Sequence, residues 1–358
     1  MPISTSSSSL PTAARLRRRV ISASALLALL SACGGGSSSP SSSSGDVGVL
    51  PPVRTASVTV IAGSPTDAGY TDGAGLSARF QSPQGITMDA AGNLYVADSL
   101  NAIVRKITSG GQVSTFAGKA GSPGAADGIL ATARFMEPAS IGIDAAGNLL
   151  VADWLSARKI TTDGIVSTIP GVGSGPMTWV RSEQVWGIAA DRAGNIYLSN
   201  STSTRRIAPT GVTTILESVT RDPVFGTPDI ARRGITVDTS GGVYVFDLQN
   251  TVSRIDTSGR LTTLAGSAGV NAAADGTGTA ARFQQVRALT ADSQGNLFAA
   301  DVDRVRKITP AGVVTTVAGK GSNLPLPNDV GSLWGIVADG KGNLYATFGN
   351  AVVKITLP

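Results

Sequence analysis

The chemistry open to this chain is bounded first by what it lacks. It has no histidine and one cysteine, Cys33. That removes imidazole acid–base catalysis, Ser-His-Asp triads and histidine-ligated zinc. It also removes any internal disulfide. Glutamate is scarce, with Glu137, Glu183 and Glu217 the three in the chain, two of them just ahead of an apolar stretch. What remains is a set of aromatic and cationic residues at one recurring place. Gln84, Ala139, Trp186, Arg233, Arg287 and Trp334 each stand before the same repeated segment, and no two neighbours in that series agree in chemistry except the two arginines. Aromatic platforms beside cationic forks suit a carbohydrate, a peptide or an anionic group.

The segment they precede is Gly85 to Asp98, GITMDAAGNLYVAD, which returns five more times. Its turn glycines are Gly92, Gly147, Gly194, Gly241, Gly295 and Gly342, at intervals of 55, 47, 47, 54 and 47 residues. Such a period means an array of supersecondary units. Each unit begins with a short apolar strand that ends in Asp-x-x-Gly-Asn. Aspartate bonds the backbone of its own turn, while Gly and Asn tolerate the positive φ of a tight reversal. A second strand follows (LYVAD), then a third (IVRKI at 103–107 and its counterparts), then a fourth (VSTFAG, LTTLAG). Four short antiparallel strands repeated radially make a propeller blade.

Blade spans of about 82–119, 137–170, 185–217, 231–266 and 286–319 leave a sixth copy, 334–358, with three strands. The missing strand lies at the other end, where residues 57–63 match VSTFAG. The expectation is an all-β, six-bladed propeller of four-stranded blades, closed when this N-terminal strand completes the last blade. With 5% aromatic content, the blades should pack mainly through Val, Ile, Leu and Ala.

Residues 1–32 read as a signal peptide. Arg15, Arg17, Arg18 and Arg19 precede an apolar run, Val20 to Leu30, too short to span a bilayer. The run ends in Leu30-Ser31-Ala32-Cys33, which resembles the lipobox of bacterial lipoproteins. That resemblance implies diacylation of Cys33 and anchoring by more than one acyl chain. Gly34 rather than Asp follows the cysteine, which in such lipoproteins favours the outer membrane, here on its periplasmic side. Residues 33–52 form a Gly/Ser/Pro-rich tether, and 53–358 the propeller. Removing residues 1–32 takes four arginines and no acid, so the formal charge of +5 becomes +1. Nothing in that balance points to nucleic acid.

The D-x-x-GN-(L/I)-(Y/F)-V-A-D core with its following R-(K/R)-I resembles the NHL repeat family of six-bladed propellers. Three connecting loops, 62–80, 117–135 and 265–283, add an Asp-Gly before Ala-Arg-Phe, giving Asp72/Arg79, Asp127/Arg134 and Asp275/Arg282. They read as loops stapled by an Asp turn, an Arg contact and a buried Phe. A calcium site there is weak, with one carboxylate per loop, and no metal or cofactor is expected. Asp98/Arg105, Asp153/Arg158, Asp247/Arg254 and Asp301/Arg306, with Asn200/Arg205 as a neutral variant, read as pairs within a blade that fix the turn between strands two and three.

Scaffold repeats, so function should lie where the copies disagree. The candidate ligand residues are therefore Gln84, Trp186, Arg233, Arg287 and Trp334, around the mouth of the central channel. A second reading has Trp186 and Trp334 filling the channel as packing. The functional expectation is a monomeric envelope propeller that binds or scaffolds a protein, peptide or glycan on that face. The competing expectation is a lactonase or esterase holding a metal in the channel, as gluconolactonase-type propellers do with Glu, Asn and Asp. The lyases on this fold depend on histidine and fit poorly. The inventory offers no catalytic motif.

Overall fold

The computed structural model describes residues 55–170, 184–200, 203–218, 234–247, 249–256, 258–327 and 331–358. The expectations for the signal peptide, Cys33 and the tether lie outside the described residues, as do those for Glu183 and Arg233.

The repeated turn is built as its residues demand. Asp89 Oδ1 accepts the Asn93 backbone N–H at 2.8 Å and Oδ2 accepts its side-chain amide at 2.8 Å. The Gly92 N–H donates to the Asp89 carbonyl at 3.0 Å, with Gly92 at φ +82°. The six turn glycines all lie between +79° and +85°, where a Cβ would be strained. In the fourth copy glycine replaces Asn, and the Ser240 hydroxyl donates to Asp238 at 2.6 Å.

The strands these turns join form six separate antiparallel sheets. The innermost strands are Pro83–Met88, Pro138–Ile143, Val185–Ala190, Gly234–Val237, Val286–Ala291 and Leu333–Ala338. Each packs against the next, and the last against the first, so the ring is closed. Closure uses the N-terminal strand as expected. Ser57–Gly63 pairs antiparallel with Ala351–Thr356, from Ser57 opposite Thr356 to Gly63 opposite Ala351. The protein is a six-bladed β-propeller.

Between blades the sheets bury Val, Ile, Leu and Ala, with one phenylalanine wedged at several seams. Phe80, Phe135 and Phe283, the last residues of the three Ala-Arg-Phe loops, are fully buried. These loops also make the first, second and fifth blades differ from expectation. Each adds a fifth, two-residue strand outside the fourth: Gly73–Ala74, Gly128–Ile129 and Gly276–Thr277.

What fastens each loop to its blade is an arginine of the third strand. Arg105, with no exposed side-chain surface, donates from Nη2 to Asp72 at 2.7 Å and from Nη1 to Asp98 at 3.2 Å. It also donates to the Thr71 carbonyl at 3.0 Å and the Arg79 carbonyl at 2.8 Å, and its guanidinium lies 4.9 Å from the Phe80 ring centre. Arg158 repeats this with Asp127, Asp153 and Phe135, and Arg306 with Asp275, Asp301 and Phe283. The loop aspartate reaches the fourth strand as well, where Asp72 accepts from the Thr115 N–H and hydroxyl. Arg79 and Arg134 instead donate to carbonyls of their own loops, as Arg282 does to Thr279 and Ala281. The loop arginine and the buried Phe hold each loop as expected, and the loop Asp adds a pairing across to the third-strand arginine.

Asp247/Arg254 does not join this set. Arg254 is the fourth residue of its strand, Thr251–Ile255, whereas Arg105 is the third of Ile103–Ile107. One position along a strand reverses the face. Arg254 accordingly lies over Tyr244, as Lys106 lies over Tyr95, while Asp247 accepts from Thr251. In the neutral variant, Arg205 donates from Nε to the Ser203 hydroxyl, which in turn donates to Asn200.

Candidate functional site

The innermost strand of each sheet has one neighbour, so its other edge presents unladdered N–H and C=O groups to the channel. Near its start this strand carries an irregularity. Register shifts fall between Pro83 and Ile86, Pro138 and Ser140, Val185 and Gly187, Val286 and Ala288, and Leu333 and Ile336. The residues inside those shifts include Gln84, Ala139, Trp186, Arg287 and Trp334. A bulge leaves a residue out of the ladder and re-aims its side chain. All five line one cavity of about 190 Å³ at the centre of the ring.

Four of the five proposed ligand residues, Gln84, Trp186, Arg287 and Trp334, are therefore gathered at one place, each half-buried. Arg233 lies outside the described residues. Trp334 is not an open platform on both faces, because the Arg287 guanidinium lies 3.6 Å from its ring centre.

Directly below the mouth comes a position of small residues, Gly85, Ser140, Gly187, Gly234, Ala288 and Gly335. A Cβ on Gly85 would stand 2.7 Å from the Ile141 backbone nitrogen, and one on Gly335 would overlap the Gln84 carbonyl. At Gly85 and Gly335 the close approach of neighbouring strands leaves no room for a side chain. Hydroxyls contribute the other polarity: Thr87, Ser140, Thr236 and Thr290 line the same cavity. At the seam between the sixth and first blades, fully buried Thr347 accepts from the Gly335 N–H at 2.7 Å and donates to the Gln84 carbonyl at 2.6 Å.

The backbone leading into the mouth is held by the same carboxylates that pair with the buried arginines. Asp98 accepts from the Gln81 N–H at 2.8 Å, and Asp153 from those of Met136 and Glu137, both at 2.8 Å. Asp301 accepts from Gln284 at 2.9 Å and Gln285 at 2.8 Å. Loop, buried arginine and mouth are one hydrogen-bonded unit in three blades. Burial pushes Asp98 and Asp153 up to about 6 despite their arginines, and pushes Asp301 upward too. Burial alone raises Glu137. Asp89, in a turn at the opposite end, behaves differently. At Asp89 burial opposes ionisation, but the Asn93 and Tyr95 hydrogen bonds outweigh it and hold the carboxyl below its usual range.

The sequence pointed to these mouth positions by their divergence. It did not show the bulges, Thr347, or the carboxylate contacts that precede the mouth. Among the described residues no carboxylate lines the channel, and no three acidic, histidine or cysteine side chains are grouped to hold a metal. The donor set that a gluconolactonase-type metal would need is not supplied by those residues.

No protein-family profile and no curated protein matches the chain. Solved structures do resemble it. An auxiliary nutrient binding protein from Bacteroides thetaiotaomicron aligns over 83% of this chain and 75% of its own, with TM-score 0.64 and 19% identity. Virginiamycin B lyase from Staphylococcus aureus, in a catalytically inactive form with quinupristin, aligns over 85% and 100%, with TM-score 0.53 and 15% identity. A putative gluconolactonase aligns over 84% and 92%, with TM-score 0.57 and 14% identity. At these identities the likeness is one of fold. These neighbours span binding proteins and enzymes, so activity has to be argued from the site.

Proposed function

We propose that the protein is a binding or scaffolding propeller of the NHL type, engaging an envelope protein, peptide or glycan on the face that carries the mouth. Cys33 anchors it by lipid to the outer membrane, on the periplasmic side, and residues 33–52 hold the propeller away from the bilayer. It acts as a monomer, needs no cofactor and does not use nucleic acid.

The observation that carries this reading is the bulged position. In five blades the residue that leaves the ladder lines the same cavity, and its chemistry differs from blade to blade. A scaffold demand would repeat, as the turn aspartates and buried arginines do. The binding role also agrees with a structural neighbour described as a nutrient binding protein. Hydrolysis in the channel is disfavoured by the missing carboxylate donors among its described lining residues.

The test is photocrosslinking in intact cells, with the probe placed at Gln84 in one strain and at Ala146, in a turn at the opposite end, in another. The expected result is a discrete adduct from position 84 and none from 146. Equal labelling at both, or none at 84, would overturn the reading.

A further inference from the structure

We propose that the protein carries a second site, for a neutral mono- or disaccharide, in the groove between the sixth and first blades at the end of the repeated turns. The groove shares no lining residue with the channel, so the two sites stand or fall separately.

The groove is open because two side chains that fill the neighbouring seam are smaller here. Between the first and second blades, Phe116 lies edge-on to Tyr95 at 5.0 Å, and Leu130 packs against the same core. Phe116 is the residue left out of the ladder between third and fourth strands, and Ile61 is its counterpart in the sixth blade. Leu130 donates its N–H to the Gly164 carbonyl, and Gly75 makes the same bond to Gly111 in the first blade. Phe and Leu are thus replaced by Ile and Gly. A groove of about 700 Å³ remains, within the roughly 300–1,000 Å³ of small-molecule sites. Ile61, Met88, Leu94 and Ile107 give it an apolar wall.

Polar groups along the groove lack the partners that their counterparts have. Tyr95, Tyr197, Tyr244 and Tyr345 each stand three residues after a turn glycine. The first three are buried and donate their hydroxyls to the turn aspartate at 3.3, 2.9 and 3.0 Å. Tyr345 is less buried and lines the groove, and its hydroxyl has no hydrogen-bond partner among the described residues. Lys354 differs in the same way. At its register in the second blade, Lys159 pairs with the turn Asp144 at 3.5 Å. Lys354 lies over the Tyr345 ring instead, and neither it nor Lys341 forms an ion pair among the described residues. Asp89 and Asp339 also line the groove, each bonded within its own turn. Two cations and two carboxylates leave the lining without net charge, so an ion finds little net attraction there. A sugar finds ammonium and hydroxyl donors, carboxylate oxygens with spare lone pairs, and an apolar wall for its C–H face.

The experiment titrates the purified full chain with glucose, galactose, N-acetylglucosamine and maltose, with glucuronate and glucosamine as charged counterparts. Binding is read by saturation-transfer NMR and by the shift in melting temperature. At least one neutral sugar should bind saturably, and neither charged counterpart should bind more tightly than the best neutral one. Tyr345→Phe, which keeps the ring and removes the hydroxyl, should weaken sugar binding about tenfold. Ile61→Phe, which restores the side chain that fills the neighbouring seam, should abolish it. Tyr345→Phe carries the test should the Ile61 variant fold poorly. No neutral sugar bound at millimolar concentration overturns the inference, as does tighter binding of glucuronate or glucosamine. Sugar binding untouched by both variants overturns it too, and leaves the reading of the mouth standing.

Discussion

The fifth and sixth blades sit side by side and solve one problem in opposite ways. In the fifth, the second strand ends in Asp301 and the third strand carries Arg306, both without exposed side-chain surface. In the sixth, Phe348 and Val353 stand at the corresponding places, and both are buried. The polar solution comes with the long Asp-Gly loop, which Arg306 holds through Asp275, and with the N–H groups ahead of Arg287, which Asp301 holds. Among the described residues the apolar solution has neither. The comparison teaches that the buried arginine is not a general device for stabilising a blade. It accompanies a loop that must be pinned and a mouth segment that must be positioned.

The largest way to break this contrast is at the closure of the sixth blade. Deleting residues 57–63 removes the strand that pairs with Ala351–Thr356, so the ring should fail to fold or lose most of its stability. Deleting 37–50 should leave the melting temperature unchanged. Equal melting temperatures would refute the shared blade.

Next in size, Arg306→Met leaves Asp301 buried without its cation and should cost about 3–5 kcal/mol in chemical denaturation. The double variant Asp301→Leu with Arg306→Met imitates the sixth blade and should cost less than the single one. A double variant that is worse than the single would mean that Asp301 does most of its work through the Gln284 and Gln285 N–H groups.

How much of this could be read from the sequence follows from what each residue answers to. The turn aspartates and their glycines bond within five residues, so their spacing announces them. The closing strand is legible because it repeats a fourth-strand pattern at the wrong end of the chain. The Asp98/Arg105 pairing is legible in the repeat, but Arg105's second partner is not, since Asp72 and Arg105 meet across 33 residues of folded-back loop. Arg254 was misplaced because its distance from Asp247 matches that of Arg105 from Asp98, while its register against the strand does not. Register, not distance from the aspartate, sets the face. The bulges have no residue signature of their own. They showed only as the position where copies stop agreeing.

A smaller effect tests the next seam round the ring, between the sixth and first blades. Gly335→Ala would drive a Cβ into the Gln84 carbonyl, which Thr347 also holds. It should destabilise by about 1–3 kcal/mol, the usual range for overpacking, and should distort the mouth. A neutral outcome in urea melts would mean that the inner strands can part at little cost.

The smallest effect is in pH. Asp98 and Asp153 titrate at about 6 in the fold, above the roughly 3.9 of an unfolded aspartate. Between those values the folded chain binds more protons than the unfolded one, so their contribution is greatest below about pH 4 and is lost as pH rises through 6. Asp89, by contrast, is held low and contributes the opposite trend, lost as pH falls. Stability measured from pH 4 to 7 for the parent and Asp98→Asn should therefore diverge, the parent losing about 1–3 kcal/mol relative to the variant. Parallel curves would contradict the raised value.

Arginines that hold the propeller should differ in their stability effects from Arg287, which lines its mouth. The most direct measurement is the stability of Arg287→Ala beside that of Arg306→Ala. Arg287→Ala should cost clearly less than Arg306→Ala, since Arg287 is half-buried while Arg306 is fully buried on Asp275 and Asp301, and Arg306→Ala should fall by about 3–5 kcal/mol. Losses of equal size in the two variants would make Arg287 another scaffold residue and contradict the separation.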